Sequence, residues 1–487
     1  MEDLTKLAVD AAKEAGAAYA DARYVSTREE STSTRNGKVE ALASSESRGI
    51  GVRVLADGAW GFAATSDLST ASVRRAAELA VRVGRASATT KKEDVPLADV
   101  DPVVDTASTK YKEDPFEVSL EERIALLLDC DRIMASTTPD LAVREGSLRF
   151  VREEQHFASS DGASITQERT ETACGIEATA AAEGETQRRS YPGSHGGQMQ
   201  TRGWEMVEEL DLPGNAEQMA REAKELLTAP HCESTESDVI MDDTQLALQV
   251  HESCGHPIEL DRVLGTEASY AGTSFLTPEK LEGDYKYGSE HVTMTADATL
   301  PGGLGSFAYD DEGVPGERTE IVTEGIFRGY LTSRETAHTV GRDRSSGTMR
   351  ADGWDAIPLI RMTNINLEPG TWSLDEMIQD MKEGLLLHAN TSWSIDDKRL
   401  NFQFGTEIAY KIEDGSVAGI VRNPTYTGIT PEFWGACDAV ADKENWVIWG
   451  VPNCGKGEPG QSAHVGHGVS AARFRNIRVG VLQQPDE

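Results

Sequence analysis

Asp243-Thr-Gln-Leu-Ala-Leu-Gln-Val-His-Glu-Ser-Cys-Gly-His-Pro257 is the clearest helical segment in the second half of a 487-residue sequence. Apolar side chains recur every four residues and predict one buried helix face: Leu246, Val250 and Cys254. Asp243 is expected to cap the first turn, and Pro257 marks where regular helical hydrogen bonding must stop. The flanking sequence is rich in Gly, Thr and Asp and in short strand candidates, so we predict a mostly β domain around this helix.

Two imidazoles and a carboxylate fall within six residues of that segment, at His251, Glu252 and His256. In the familiar His-Glu-x-x-His zinc motif the histidines stand one turn apart, whereas these two are five positions apart. On a regular helix such a pair lies roughly 140° out of register and cannot share one metal ion. Two distortions would bring the rings together: a π-bulge in the last turn, or a helix end at Gly255 from which His256 reaches back.

The residue types in this motif point to metal-dependent hydrolysis. Neutral imidazoles suit zinc, and catalytic zinc sites use three protein ligands plus an open position for water. Zinc brings the pKa of bound water toward ~7 and polarises a carbonyl, while a neighbouring carboxylate removes the proton. Glu252 is the candidate for that general base. The predicted chemistry is hydrolysis of an amide bond.

A third ligand must come from elsewhere in the chain. The stretch Pro452-Asn-Cys-Gly-Lys-Gly457 places Cys454 in a Gly-rich turn, where backbone and metal can approach closely. Lys456 would favour the thiolate form of this cysteine. His464 and His467 compete for the same role, and the residues by themselves leave these alternatives open.

Composition and charge disfavour several classes of partner. Acidic residues outnumber basic ones 82 to 47, and a formal net charge of −35 repels nucleic-acid phosphates and anionic membranes. No apolar run approaches the roughly eighteen residues of a membrane span, and the first residues lack a secretory signal. We therefore expect a cytoplasmic protein that binds neither nucleic acid nor membranes. Its six scattered cysteines do not form a disulfide scaffold.

At this length we expect more than one domain. Apolar periodicity predicts helices near residues 4–15, 70–86, 120–133 and 215–227. A hairpin turn is predicted at Asn36-Gly37, and the polar stretch 87–116 is interpreted as a linker. The predicted fold class is α+β: an N-terminal mixed α/β region, divided into domains at 1–100 and 116–230, followed by a large β-rich C-terminal domain at 236–487 that carries the metal-site helix.

Five sequence stretches along the chain form a wider pattern, and two of them contain the candidate metal residues described above. They are Gly51-Val-Arg-Val54 with Asp57-Gly58 and Trp60-Gly-Phe62, His251-Glu-Ser-Cys-Gly-His256 with Glu259 and Asp261, Tyr309-Asp-Asp-Glu-Gly-Val-Pro315, Arg361-Met-Thr-Asn364, and Cys454-Gly-Lys456 with Gln461. Together they resemble the TldD/PmbA family of metallopeptidases over nearly the whole length.

Taken alone, the acidic run Asp310-Asp-Glu312 is interpreted as a solvated turn rather than a cation site.

The resemblance implies the catalytic, TldD-like branch, because the partner branch, TldE or PmbA, lacks the metal motif. It implies that His251, His256 and Cys454 are zinc ligands and that Glu252 is the catalytic base. It also implies an N-terminal α+β region and a large β-rich C-terminal domain. A dimer is implied as well, either with an identical chain or with a TldE/PmbA-like paralogue, and its shared cavity would admit unfolded peptides.

The leading hypothesis is a zinc-dependent peptidase that takes extended peptides by strand addition. One alternative is a non-catalytic peptide-binding or scaffolding subunit with a structural metal, in which His464 or His467 completes a closed four-ligand site. Another is a metal-dependent amidase that acts on a small molecule.

Overall fold

A computed structural model describes residues 1–457 and 460–480 of the chain, so the end of the third predicted domain, 481–487, lies outside the described residues. The helices are α1 (Glu2–Glu14), α2 (Thr70–Ala88), α3 (Leu120–Thr137), α4 (Glu205–Leu210), α5 (Leu212–Leu226), α6 (Asp243–Val250), α7 (Leu260–Val263), α8 (Pro278–Glu282), α9 (Leu374–Gln379) and α10 (Thr430–Gly435). The long helices α1, α2, α3 and α5 confirm the periodicity-based predictions. In the described part of the chain, no helix combines the length and apolar character needed to cross a membrane.

The first half of the chain builds one large sheet. Its strands are β1 (Tyr19–Arg35), β2 (Lys38–Ala56), β3 (Ala59–Thr65), β4 (Val104–Ser108), β5 (Val143–Ser159), β6 (Ser164–Ala182), β7 (Glu185–Tyr191) and β8 (Gln198–Gln200). The order is β3-β2-β1-β5-β6-β4, with β7 and β8 also paired to β6. The predicted hairpin turn joins β1 to β2, and both Asn36 and Gly37 have the positive φ that a tight turn of this type requires.

The predicted linker over 87–116 is wrong in part, because it contributes β4. This strand pairs in parallel with β6, and four of its five residues are exposed. Backbone hydrogen bonds rather than a buried face hold it, so it has no apolar alternation to detect. The two predicted N-terminal domains therefore share a sheet, and the proposed boundaries of 1–100, 116–230 and 236–487 stay a prediction.

Two further sheets form the β-rich C-terminal region. Their strands are β9 (Thr235–Met241), β10 (Met294–Asp297), β11 (Arg318–Thr323), β12 (Ile326–Phe327), β15 (Asn364–Leu367), β16 (Glu383–Ile395), β17 (Asn401–Glu413), β18 (Ser416–Val421), β19 (Thr425–Ile429), β20 (Cys437–Val440), β21 (Val447–Lys456), β22 (Gln461–Val469) and β23 (Ala472–Val479), with β13 (Met349–Arg350) and β14 (Leu359–Ile360) paired separately. One sheet has the order β12-β11-β10-β15-β22-β21. The other runs β16-β9-β23-β19-β17, and β17 pairs back with β16 to close a ring. With about 24% helix and 41% strand overall, the predicted fold class is confirmed.

Helix α6 follows β9 directly and lies between the two C-terminal sheets, in contact with strands of both. Leu246, Val250 and Cys254 are fully buried in the main core, which confirms the predicted apolar face. The predicted cap was wrong by one residue. The Asp242 carboxylate accepts the Gln245 backbone N–H at 3.0 Å, whereas Asp243 accepts a hydrogen bond from Trp449 Nε1 at 3.2 Å. Either aspartate satisfies the residue preference at this position, and only backbone geometry separates them.

The helix does not simply end after Val250 but widens into a π turn at His251–Gly255. The backbone N–H of His256 donates to the carbonyl of His251, five residues earlier. Of the two distortions open to the sequence, the structure therefore contains the π-bulge. Pro257 lies in the short 3₁₀ turn His256–Ile258 that follows.

Gly255 permits this turn because no side chain fits there. A Cβ built on it would lie 2.3 Å from Met362 Sδ. Met362 belongs to the Arg361-Met-Thr-Asn364 stretch and is fully buried. That stretch therefore has a packing role against the π turn.

The acidic run Asp310–Glu312 lies in a buried seam between the first sheet and the C-terminal region, so its interpretation as a solvated turn is wrong. Arg53 Nη1 pairs with Glu312 Oε1 at 3.1 Å, and Arg53 Nη2 pairs with Asp21 at 2.7 Å. Arg23 pairs with Asp311 at 2.8 Å. The arginines come from β1 and β2, so long-range ion pairing explains both the Gly51-Val-Arg-Val54 stretch and the acidic one.

Replacing Gly255 should test the packing of the π turn. Gly255→Ala forces Met362 or the turn to shift, and we expect the free energy of unfolding to fall by about 1 to 3 kcal/mol. The matched control is Gly435→Ala at the end of α10, where an added Cβ meets nothing within 4 Å. Chemical denaturation of both variants measures the difference, and equal stability for the two would contradict the packing role of Gly255.

Candidate metal centre

Three predicted ligands from two distant parts of the chain converge at the end of α6. One ligand atom from each of His251, His256 and Cys454 lies within 4.8 Å of the others. The imidazole rings of His251 and His256 have centroids 5.0 Å apart and are nearly perpendicular. Cys454 Sγ lies 3.7 Å from His256 Nε2. All three residues are buried, with at most 5% of their surface exposed.

His467 orients His251 from behind the site. Its Nδ1 lies 3.1 Å from the carbonyl of Ile365, and its Nε2 lies 2.8 Å from His251 Nδ1. A carbonyl only accepts, so Nδ1 of His467 carries a proton and its neutral Nε2 accepts one from His251. This arrangement leaves His251 Nε2 with a free lone pair. Burial lowers the pKa of both histidines, which favours these neutral forms.

Glu259 orients His256 in the same way as His467 orients His251. Its carboxylate accepts the Nδ1–H of His256 at 3.0 Å, so His256 Nε2 is free on the side of Cys454. Lys456 and His256 hold the pKa of Glu259 well below its usual range, although burial acts in the opposite direction. Such carboxylate and carbonyl partners fix the tautomer and the orientation of metal-binding histidines.

The Cys454 thiol is placed on β21 by strand pairing with Ala463 of β22. Burial raises its pKa, but the neighbouring His256 imidazole and Arg361 guanidinium outweigh burial and lower the pKa below the usual value. The prediction that Lys456 is the thiolate's cation is not supported. The Lys456 ammonium instead donates to Asp261 and to the carbonyl of Ile360, both at 2.6 Å.

Glu252 lies beside the three candidate ligands and is 5% exposed. Burial raises the pKa of its carboxyl group, but His251, His256 and Arg399 outweigh that effect, and the net shift is downward. The guanidinium of Arg399 donates directly to the Glu252 carboxylate. Glu252 is therefore held in the ionised, proton-accepting form.

The three candidate ligands, Glu252 and Arg399 line a cavity of about 310 Å³. Its other walls are the loop 193–197, the hairpin between β16 and β17, and residues 449–455 of β21. Trp393 on that hairpin is 46% exposed, and its ring is nearly perpendicular to that of His195, with centroids 5.5 Å apart. The cavity thus combines charged groups at its base with an aromatic wall, as small-molecule and peptide sites commonly do.

The two rival histidines lie in different surroundings. His464 Nδ1 pairs with Glu171 at 2.6 Å, and His467 lies behind His251 as described. Sequence analysis missed the supporting role of His467 and the whole contribution of Arg399. Glu259 stands three residues after His256, a spacing that marks it as a neighbour, but no local signal marks Arg399.

Family models match the chain in three consecutive parts. The PmbA/TldA metallopeptidase domain 1 matches residues 20–84, the central domain matches 113–229, and the C-terminal domain matches 234–481. The chain belongs to the PmbA/TldD family. The predicted resemblance is confirmed, and helix α6 lies in the part matched by the C-terminal domain.

Curated relatives of this PmbA/TldD chain are named metalloproteases. Metalloprotease MJ0996 of Methanocaldococcus jannaschii is 30% identical over 461 residues, which cover 93% of this chain and 95% of the relative. A metalloprotease TldD homolog of Haemophilus influenzae is 26% identical and covers 95% and 92%. A zinc metalloprotease TldD homolog of Saccharolobus solfataricus is 27% identical over 246 residues, 50% of this chain and 52% of the relative.

Solved structures share the fold of the PmbA/TldD chain. A protein of Thermotoga maritima described as a modulator of a DNA gyrase superposes with a TM-score of 0.77 at 18% identity, covering 98% of this chain and 100% of that one. TldE from Thermococcus kodakarensis superposes with a TM-score of 0.75 at 17% identity, with the same coverage. At these identities the likeness shows the fold alone.

Replacing His467, which lies behind His251, should test whether this residue orients His251 without itself binding the metal. His467→Phe removes the acceptor for His251 Nδ1–H, and we expect zinc affinity to fall about 10- to 100-fold. The control is His464→Gln, which should leave the affinity unchanged. Competition with a chelating dye measures both, and wild-type affinity in His467→Phe would contradict the assigned orientation of His251.

Proposed function

We propose that this chain is a zinc-dependent peptidase in which His251, His256 and Cys454 hold the metal and Glu252 is the general base. The observation that carries the proposal is the convergence of three buried donor atoms within 4.8 Å, with the ionised Glu252 carboxylate next to them at the base of a cavity. The metalloprotease names of the relatives agree with this chemistry.

The donor set suits zinc. Two neutral imidazoles and one thiolate are borderline-soft ligands, and the hydrogen bonds of His467 and Glu259 leave one lone pair on each imidazole free. Three protein ligands leave a fourth position for water. When bound, zinc acts as a Lewis acid that makes water nucleophilic near neutral pH.

The protein groups around the centre move the protons of the reaction. The Glu252 carboxylate accepts the proton of the attacking water and passes it to the nitrogen of the leaving amine, so that it is ionised again at the end of the cycle. His251, Glu252, His256 and Cys454 are at most 5% exposed, and in such low-dielectric surroundings their interactions with the substrate are stronger than in water.

We propose that the substrate is an extended peptide that pairs with β21. This strand ends the order of its sheet, and it carries Cys454. The Gln198 side chain occupies the edge at Ile448 and Gly450, but residues 451–455 face the cavity. Backbone pairing along a strand edge makes little use of the peptide's side chains, so broad sequence tolerance follows.

The rival function, a non-catalytic subunit with a structural metal, is less well supported by the geometry. Such sites are closed by a fourth protein ligand. His467 bonds the outer nitrogen of His251, and His464 pairs with Glu171, so neither candidate occupies the fourth position among the described residues.

We further propose that the chain is cytoplasmic and works as a dimer, with itself or with a TldE/PmbA-like paralogue. The resemblance to the TldD branch implies such a pairing, and TldE from Thermococcus kodakarensis shares the fold of this chain. The net charge of −35 disfavours nucleic acid as a partner.

Two variants should separate metal binding from proton transfer. Cys454→Ala removes a ligand, and we expect it to lose bound zinc. Glu252→Gln keeps the size of the side chain but not the base, and we expect it to retain about one zinc per chain while peptide hydrolysis falls by roughly 10² to 10⁴-fold. Elemental analysis and a peptide-cleavage assay measure the two properties.

The control for charge removal is Glu279→Gln, an exposed glutamate on α8, which should behave as wild type. Wild-type turnover by Glu252→Gln would reject this residue as base. Cleavage of small amides without any cleavage of peptides would favour the amidase alternative.

Modified peptides should test strand addition. Methylation of backbone nitrogens near the scissile bond removes the N–H groups that pair with β21, so we expect binding to weaken at least about tenfold. Exchanges of side chains at the same positions should change it much less. Fluorescence titration of the Glu252→Gln variant measures affinity without turnover, and strong side-chain selectivity with tolerance of N-methylation would contradict the model.

A further inference from the structure

Arg399 is held in a fixed position at the turn between β16 and β17. Its backbone is left-handed, with φ of +62°. Its N–H donates to the carbonyl of Asp396 at 2.8 Å, and its carbonyl accepts from the Thr430 hydroxyl at 2.9 Å. The Asp396 carboxylate binds the next two backbone N–H groups, of Leu400 and Asn401. A non-glycine residue in this conformation needs such support, and the turn is therefore preorganised.

The side chain of Arg399 reaches into the cavity and uses only part of its donor capacity. One terminal nitrogen donates to Glu252, whereas Nε is buried and has no partner among the described residues. A guanidinium has five N–H donors in a planar fork. Nε itself has almost no accessible surface, but 17% of the Arg399 side chain is exposed, so an acceptor on a bound molecule would reach the terminal N–H groups.

Several other polar groups around the cavity already form hydrogen bonds within the protein. The Asn390 amide donates to Gln245 and to backbone carbonyls, the Thr244 hydroxyl to Asp242, and Trp449 Nε1 to Asp243.

Arg262, a second cation near Glu252, donates to the carbonyls of Thr273, Ala271 and Asp397. Arg399 is thus the group that touches the candidate base and retains unused donors.

We propose that Arg399 is a further catalytic residue, whose free N–H groups bind the carbonyl oxygen of the scissile peptide bond and stabilise the negative charge that develops there. This inference rests on the proposed peptidase function. A donor aimed at a developing oxyanion is commonly worth 10² to 10³ in kcat, because it interacts more strongly with the charged adduct than with the neutral carbonyl.

The step balances with the groups present. Water oxygen forms a bond to the carbonyl carbon, its proton goes to Glu252, and the π electron pair of the C=O bond moves to the oxygen, where Arg399 donates. When the tetrahedral adduct collapses, that pair returns, the C–N bond breaks, and the nitrogen takes the proton from Glu252. Arg399 stays protonated throughout and exchanges no proton.

A pair of ligands tests the inference by affinity as well as by rate. A phosphinic peptide carries a tetrahedral anionic centre where the parent peptide has a planar neutral amide. Calorimetry should show that Arg399→Ala weakens binding of the phosphinic peptide about 100-fold and binding of the parent peptide by less than about threefold. The same comparison on zinc-free protein removes the metal's own attraction for the anion, and there too the phosphinic peptide alone should lose affinity.

Two further variants control for charge and folding. Lys398→Met removes a cation from an exposed position in the same turn and should leave both affinities and kcat unchanged. Arg399→Lys keeps the charge without the planar fork and should restore part of the lost selectivity. In turnover, Arg399→Ala should lower kcat about 100-fold with little change in KM.

The outcomes distinguish this inference from the proposed function. If wild-type protein cleaves no peptide, yet its preference for the phosphinic peptide still depends on Arg399, the peptidase function fails and the oxyanion-binding role stands. Equal weakening of both ligands in Arg399→Ala, no phosphinic preference in wild type, or loss of zinc in both Arg399 variants would each overturn the role.

Discussion

A single backbone hydrogen bond, from the N–H of His256 to the carbonyl of His251, fixes the geometry on which the candidate centre depends. A regular helix would place these two rings on different faces. The added residue of the π turn brings them to a centroid distance of 5.0 Å. Such bulges are rare and recur at functional sites, because they reorient side chains at the cost of a poorer backbone ladder. Tight packing of Met362 on Gly255 helps to hold the turn.

The support for this turn comes from strands far away in sequence. Parallel pairing of β15 with β22 brings Ile365 and His467 together behind His251. Cys454 lies on the neighbouring β21, and the Arg361 guanidinium donates to its carbonyl. The same sheet therefore supplies one candidate ligand, Cys454, and orients another, His251. The geometry of the candidate centre therefore depends on the pairing of these strands. A change in strand register would displace both Cys454 and His467 from the histidine motif.

The seam between the first sheet and the C-terminal region has a different physical basis. Arg53 joins Asp21 and Glu312 with 4% or less of the Arg53 and Glu312 side chains exposed. Removing one partner from such a buried pair leaves an uncompensated charge, which is strongly destabilising. The strongly acidic composition is thus compatible with buried carboxylates, since arginines of β1 and β2 neutralise several of them. The Gly51-Val-Arg-Val54 stretch and the acidic run Asp310–Glu312, to which the sequence alone assigned no chemistry, thus have a structural role in this seam.

The sequence by itself determined the features that depend on neighbouring residues. Apolar periodicity located α1, α2, α3 and α5, Asn36-Gly37 marked the hairpin, and the motif put His251, Glu252 and His256 on one segment, because all of these are set by local backbone geometry. The tertiary structure decided between a π-bulge and an early helix end. It also brought Cys454 to His256 across 198 residues, put His467 behind His251, and placed Arg399 on Glu252. These contacts arise from strand pairing and packing between distant segments, and residue spacing along a chain carries no information on which distant side chains will meet.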